Sequence, residues 1–103
     1  MEMRKVFYAL GLAQRAGKLA SGDFALKSAL KGHTAALLLV ATDTAPNSKK
    51  EILYLAKEAN VPVLELATVN ELGACIGKGK RAAIAVLDPG FAKMIKKNYE
   101  DMK

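Results

Sequence analysis

Three stretches of this chain are apolar almost without interruption: "AALLLVAT" at 35–42, "VPVLEL" at 61–66 and "AAIAVLD" at 82–88. Runs of this length suit strands covered on both faces, because a strand with one wet face alternates apolar and polar residues. Around them the apolar residues recur instead every three or four positions. Val6, Phe7, Leu10 and Ala13 share one side of a first helix that Gly17 ends, and a second helix follows Ser21-Gly22 and closes at Gly32. A third, capped by Asn47 or Ser48, carries Ile52, Leu55, Ala56 and Ala59 and stops at Asn60. "TVNE" at 68–71 has the form of a capping box and opens a short helix that reaches Gly77. Asp88-Pro89 starts the last helix, with Phe91, Met94 and Ile95 turned inward and Lys93, Lys96 and Lys97 outward. Lys18 to Ala20 leaves room for a short edge strand, and Pro62 belongs at the start or edge of its own. Strands alternating with helices predict an α/β fold, a three-layer sandwich with a largely parallel sheet. A chain of 103 residues has apolar surface for one core, so residues 1–103 are expected to form a single domain.

Sixteen Lys and Arg against ten Asp and Glu give a net charge of +6 and a pI near 9.6. That excess favours a polyanionic partner, through attraction to phosphate and release of its counterions. Cys75 and His33 are the lone residues of their kinds. An intrachain disulfide and a thiolate metal cluster are therefore excluded, and no metal site is expected; Cys75 reads as buried filler and His33 as part of an exposed turn. The opening "MEMRKVFYALGLAQRAG" is too short and too interrupted by Gln14 and Arg15 for a signal peptide or membrane span. A cytoplasmic protein with no membrane partner is expected.

Glycines beside lysines invite a nucleotide-binding reading, and the spacing refuses it. A P-loop places four residues between its glycines and follows them with Lys and Ser or Thr; Gly11 to Gly17-Lys18 has five between and ends in Leu19. "GKGKR" at 77–81 leads into a strand, so no helix N-terminus faces a phosphate there. No cofactor is expected. Asp43 and Asp88 follow apolar strands, where α/β enzymes keep carboxylates, but they read equally as a turn residue and a helix cap, and no His, Cys or third acid converges on them. Binding, not catalysis, is the expected function. The cations fall in clusters: Arg15 and Lys18; Lys27 and Lys31 on one helical face, with Asp23 one turn before Lys27; Lys49 and Lys50; and Lys78, Lys80 and Arg81. The last puts three cations among the glycines Gly77 and Gly79, on a backbone able to approach phosphate closely. Aromatic residues are too sparse, at 6%, for a stacking platform of the single-strand-binding kind.

The order of elements, together with "SGDFALKSALKG", "LLLVATDTAP", "NVPV" and "ELGACIGKGKRAAIAVLD", resembles the kink-turn RNA-binding ribosomal-protein family of archaeal L7Ae, eukaryotic L30e and their relatives; "LAQRAGKLASGD" is similar to its bacterial YlxQ branch. The resemblance implies an α-β-α sandwich around a four-stranded mixed sheet, with the start of the second helix and the loop before the last strand gripping a bent RNA. Family members carry Gly-x-Asn-Glu-x-x-Lys at that helix, whose Asn and Glu read guanines of sheared G·A pairs. Here Ser21 falls on the Gly, Gly22 on the variable position, Asp23 on the Asn, Phe24 on the Glu and Lys27 on the Lys, so that Lys27 alone matches. Ionised Asp23 accepts hydrogen bonds without donating, and Phe24 does neither. Losing a bidentate base contact removes about 1–3 kcal/mol of discrimination, enough to abolish a strict kink-turn preference while phosphate contacts survive. The expected RNA-binding set is Lys18, Ser21 as helix cap, Gly22, Asp23, Phe24, Lys27, Lys31 and Gly77, Lys78, Gly79, Lys80 and Arg81. Its partner is a structured RNA, ribosomal or other. The alternative is a protein-interaction module that docks an exposed Phe24 on a ribosomal or translation-factor protein.

Overall fold

The computed structural model describes residues 3–102. Among them, five helices and four strands follow one another as α1 (Arg4–Arg15), β1 (Leu19–Ser21), α2 (Asp23–Lys31), β2 (Leu37–Val40), α3 (Pro46–Glu58), β3 (Val63–Glu65), α4 (Val69–Cys75), β4 (Ala83–Val86) and α5 (Pro89–Asp101). The strands make one sheet in the order β1-β4-β2-β3. Its central pair, β4 and β2, is buried at every position. Alternate residues serve opposite layers, as the pleat dictates. Leu37, Leu39, Ile84 and Val86 pack with Val6 and Leu10 of α1, Leu72 of α4 and Ile95 of α5. Leu38, Val40, Ala83 and Ala85 pack with Leu26 and Leu30 of α2 and Ile52 and Ala56 of α3.

Only β2 and β3 run parallel, joined by the α3 crossover; β4 is antiparallel to both β1 and β2. The largely parallel sheet expected from the apolar runs is thus corrected to a mixed one. Helices on both sides bury a strand whatever its direction, so an uninterrupted apolar run reports the layers and not the polarity. The four-stranded mixed sheet implied by the family resemblance is the sheet observed.

Helix ends follow their sequence signals with three exceptions, and one residue of α5 faces otherwise than expected. The capping box of α4 is formed: Thr68 Oγ1 accepts from the Glu71 amide at 3.2 Å and Glu71 Oε1 from the Thr68 amide at 2.9 Å. At α5, Asp88 Oδ2 accepts from the Phe91 amide at 2.9 Å, with Pro89 at the first helical position. α3, however, starts at Pro46 with Ala45 as its cap, which places Asn47 and Ser48 inside the first turn. Proline's fixed φ and missing N–H suit that first position better than a polar cap two residues later. At the end of α2, Gly32 keeps φ −85° and the left-handed turn falls on His33, at φ 58°. Met94 is 43% exposed, because Ala92 and Ile95, three apart, form the buried stripe of α5 and Phe91 only flanks it. Ser21 is the last residue of β1 and caps nothing; Gly22 is the N-cap of α2.

Candidate nucleic-acid interface

Antiparallel pairing of β1 with β4 sets Ser21 opposite Ile84. The end of β1 therefore lies beside the start of β4, and the two segments singled out in the sequence, 21–24 and 77–81, meet at one end of the sheet. Arg81 joins them: its Nε donates to Ser21 Oγ at 3.3 Å, and its guanidinium also donates to the carbonyl of Lys80 at 3.0 Å. The serine expected to cap α2 instead orients this arginine. Gly22, at φ 88° and ψ 151°, turns the chain from strand to helix in a region that strains any residue with a Cβ, although nothing lies within 4 Å of where that Cβ would stand. No side chain caps α2, and Asp23 is the one acidic residue in its first turn. A cleft of about 310 Å³ opens between this turn, Ser48 and Glu51 of α3, and Lys80 and Arg81.

The basic loop is fixed by its approach to α4. The Lys78 amide donates to the Gly73 carbonyl at 2.8 Å and the Arg81 amide to the Val69 carbonyl at 3.0 Å. A Cβ on Gly73 would stand 1.8 Å from the Gly79 carbonyl oxygen, so the helix must carry glycine there for the loop to lie where it does. Gly77 takes φ 71°, which leaves Gly79 as the glycine of the loop with no such demand on it. The turn after β2 holds both ends of this arrangement: Asp43 Oδ1 accepts from the Val69 amide at the start of α4 at 2.8 Å, and Thr44 Oγ1 donates to the Ala82 carbonyl, between the loop and β4, at 3.2 Å. Asp43, weighed above as a carboxylate at a strand end, is engaged in this anchoring. Gly73 and Asp43 were missed as positioning residues; the "ELG" of the family resemblance was the available signal for the first, and the second had none.

Lys27 is not a free cation. Its Nζ lies 3.1 Å from Glu51 Oε1 and 3.4 Å from Asp23 Oδ1. Hydrogen bonds to Glu51 first, and to Asp23 second, raise its pKa above the ordinary lysine value. The Asp23 pairing follows from i, i+4 spacing, whereas Glu51 reaches Lys27 only because α3 packs on α2. Lys31, Lys78 and Lys80 are exposed. Phe24 is 86% exposed. Lys18 is not brought to this face: it precedes β1 beside Leu87, whose amide donates to its carbonyl at 2.8 Å, one strand length from Gly22. His33 is exposed, and Cys75 is half-buried, with Sγ donating to the Leu72 carbonyl at 3.1 Å; burial pushes its thiol up to about 11. Among the described residues no cluster of His, Cys, Asp and Glu could hold a metal ion, and no helix is long and apolar enough to cross a membrane.

An α-β-α sandwich whose β1–α2 junction and β4-leading loop form one basic face is the architecture implied above. Residues 4–96 match the Ribosomal protein L7Ae/L30e/S12e/Gadd45 family, and the chain belongs to it. It is 34% identical over 97 residues to the RNA-binding protein YlxQ of Enterococcus faecium, a match that covers 94% of this chain and 93% of that protein. With the RNA-binding protein YlxQ of Bacillus subtilis strain 168 it shares 34% identity over 89 residues, covering 86% and 89% of the two chains. A solved structure of a protein of unknown function from Bacillus halodurans superposes with a TM-score of 0.86 at 29% identity, over 93% of this chain and 97% of that one.

Proposed function

We propose that this protein binds structured RNA without transforming it, using the face built from the start of α2 and the loop at 77–81. The observation that carries the reading is the register of β1 with β4, which joins a glycine-turned helix start to a loop bearing Lys78, Lys80 and Arg81. The names of its YlxQ relatives, RNA-binding proteins over nearly the whole chain length, support the same partner. Lys78, Lys80 and Arg81 meet phosphates, Gly22 lets backbone approach backbone, and Lys31 adds charge farther along α2. Asp23 accepts from a guanine amino group at most, and Lys27 contributes only as far as phosphate displaces Glu51 and Asp23 from it. Recognition therefore proceeds by shape and phosphate more than by G·A pairs. A role in the cytoplasm, on the ribosome or in translation, fits this chemistry.

Titration into a labelled kink-turn RNA, and into a matched RNA with its G·A pairs replaced, at two salt concentrations, tests the proposal. Contact with about five phosphates gives a log–log salt slope near −4. Similar, salt-sensitive binding to both RNAs is the expected result. Strong preference for the kink-turn would restore G·A reading to Asp23 and its neighbours. Absence of binding to either would refute the RNA reading and leave the face to a protein partner.

A further inference from the structure

We infer that Phe24 is a stacking surface for an unpaired nucleobase, an inference that rests on the RNA-binding reading above. At 86% exposure it is the barest large apolar residue among the described residues, ahead of Tyr8 at 67% and Tyr54 at 61%. A phenylalanine so placed gains nothing from the core, and its neighbours Asp23 and Ala25 are themselves exposed. With Lys27, Ser28 and Lys31 it borders a shallow groove along α2, the spacing of three, four and seven residues setting all of them on one stripe of the helix.

The surroundings of the ring select its occupant. Most of the residue's surface is open to solvent, which suits a flat π partner. Lys27 and Lys31 share the groove with the ring, and Lys80 and Arg81 line the separate cleft that the neighbouring Asp23 also borders. A base stacked on Phe24 thus keeps its phosphates within a positive field. The hydrogen-bonding groups beside the ring are the Asp23 carboxylate, the Ser28 hydroxyl and the ammonium groups of Lys27 and Lys31 on their flexible stems, with no planar amide or guanidinium among them to read a base edge in two places, so the stack tolerates any base. A docking patch for a protein would extend the apolar surface around such an anchor. Here Asp23, Lys27, Ser28 and Lys31 make that surround polar and charged, which favours the nucleobase. The base has to be unpaired, since neighbours in a continuous duplex cover its faces. The ligand class is a folded RNA that presents a bulged or loop base next to helical phosphates.

The probe is a hairpin RNA with a short bulge that carries 2-aminopurine at each bulged position in turn, compared with the same stem fully paired. The full chain and its Phe24→Leu and Phe24→Trp variants are titrated into both. Because the side chain is exposed, neither substitution disturbs the core. The expected result is quenching of 2-aminopurine at one bulged position by the wild-type protein. Phe24→Leu then weakens binding to the bulged RNA on the order of 5- to 100-fold, the measured range for one base–aromatic stack, while affinity for the paired stem is unchanged. Phe24→Trp restores affinity, and its indole emission falls on binding. Equal affinities of wild type and Phe24→Leu for the bulged RNA would overturn the inference, with RNA binding itself intact, and would leave the ring to a protein surface. Equal losses on bulged and paired RNA would overturn it too, as would wild-type binding to neither RNA; the RNA-binding reading itself falls only if the kink-turn RNA and its G·A-replaced partner are left unbound as well.

Discussion

Replacing Gly73 with alanine separates the position of the basic loop from its charge. The added Cβ would stand 1.8 Å from the Gly79 carbonyl oxygen and 2.6 Å from its carbon, both of them backbone atoms. To reach the ~3.3 Å at which carbon and oxygen meet without overlap, the loop has to retreat by about 1.5 Å. The hydrogen bond from the Lys78 amide to the Gly73 carbonyl, 2.8 Å long, does not survive a shift of that size. Its loss costs about 1 kcal/mol and overpacking about 1–3 kcal/mol, against up to about 1 kcal/mol gained when alanine replaces a helical glycine. The net is a destabilisation of about 1–3 kcal/mol, which lowers Tm by roughly 5–20 °C in a domain of this size. Retreat from α4 also shifts Lys78 and Lys80 from their set positions relative to α2, so the RNA salt slope becomes shallower by about 1–2 although no charge has been removed. Thermal melts by circular dichroism and RNA titrations at several salt concentrations read the two effects. A variant with the wild-type Tm and the wild-type salt slope would refute the packing of the loop on α4 as the determinant of the interface.

Other outcomes follow from the same geometry. Replacing Lys78, Lys80 and Arg81 together with alanine makes the salt slope shallower by about 2–3, whereas replacing Lys93, Lys96 and Lys97, on the outer side of α5, with glutamine leaves the slope within about one unit of wild type; equal effects from both sets would mean that charge acts without regard to place. Glu51→Gln removes the nearer acidic partner of Lys27, 3.1 Å from its Nζ, from an exposed position, and RNA affinity rises several-fold at low salt; an unchanged affinity would show that Lys27 takes no part. Cys75, with its thiol pushed up to about 11 by burial, reacts slowly with iodoacetamide at pH 8 and accelerates as pH climbs toward that value. Because its pKa is raised on folding, its contribution to stability is fully present below the ordinary value of 9.0 and is lost as pH rises through about 11; alkylation at the rate of an open thiol at pH 8 would contradict its packing.

The layers and most of the element ends were legible in the residues because they depend on local signals. The runs at 37–40 and 83–86 announce strands under cover on both sides, and Thr68 with Glu71, or Asp88 with Pro89, states a helix start within four residues. Strand direction was not legible from those runs, since burial is blind to polarity, and the mixed sheet came from the family resemblance. The site divides the same way. Its cations are visible as clusters, but what each one faces depends on contacts across long stretches of chain. Arg81 meets Ser21 only through the pairing of β1 with β4, and Lys27 meets Glu51 only through the packing of α2 on α3. Lys18, adjacent in sequence to the helix start, is carried away from it by the length of β1.

That pairing has a consequence for how the chain is made. β1 is an edge strand whose one neighbour is β4, and the hydrogen bond between Ser21 and Arg81 spans sixty positions. While the intervening α2, β2, α3, β3 and α4 emerge from synthesis, β1 waits without a partner, and the two halves of the basic face belong to separate parts of an unfinished molecule. Contacts of such separation form late, after the loop they close has given up its entropy. An unfinished or misassembled chain therefore carries the same lysines without the face that arranges them, and that face exists only once β4 has been made and has paired with β1.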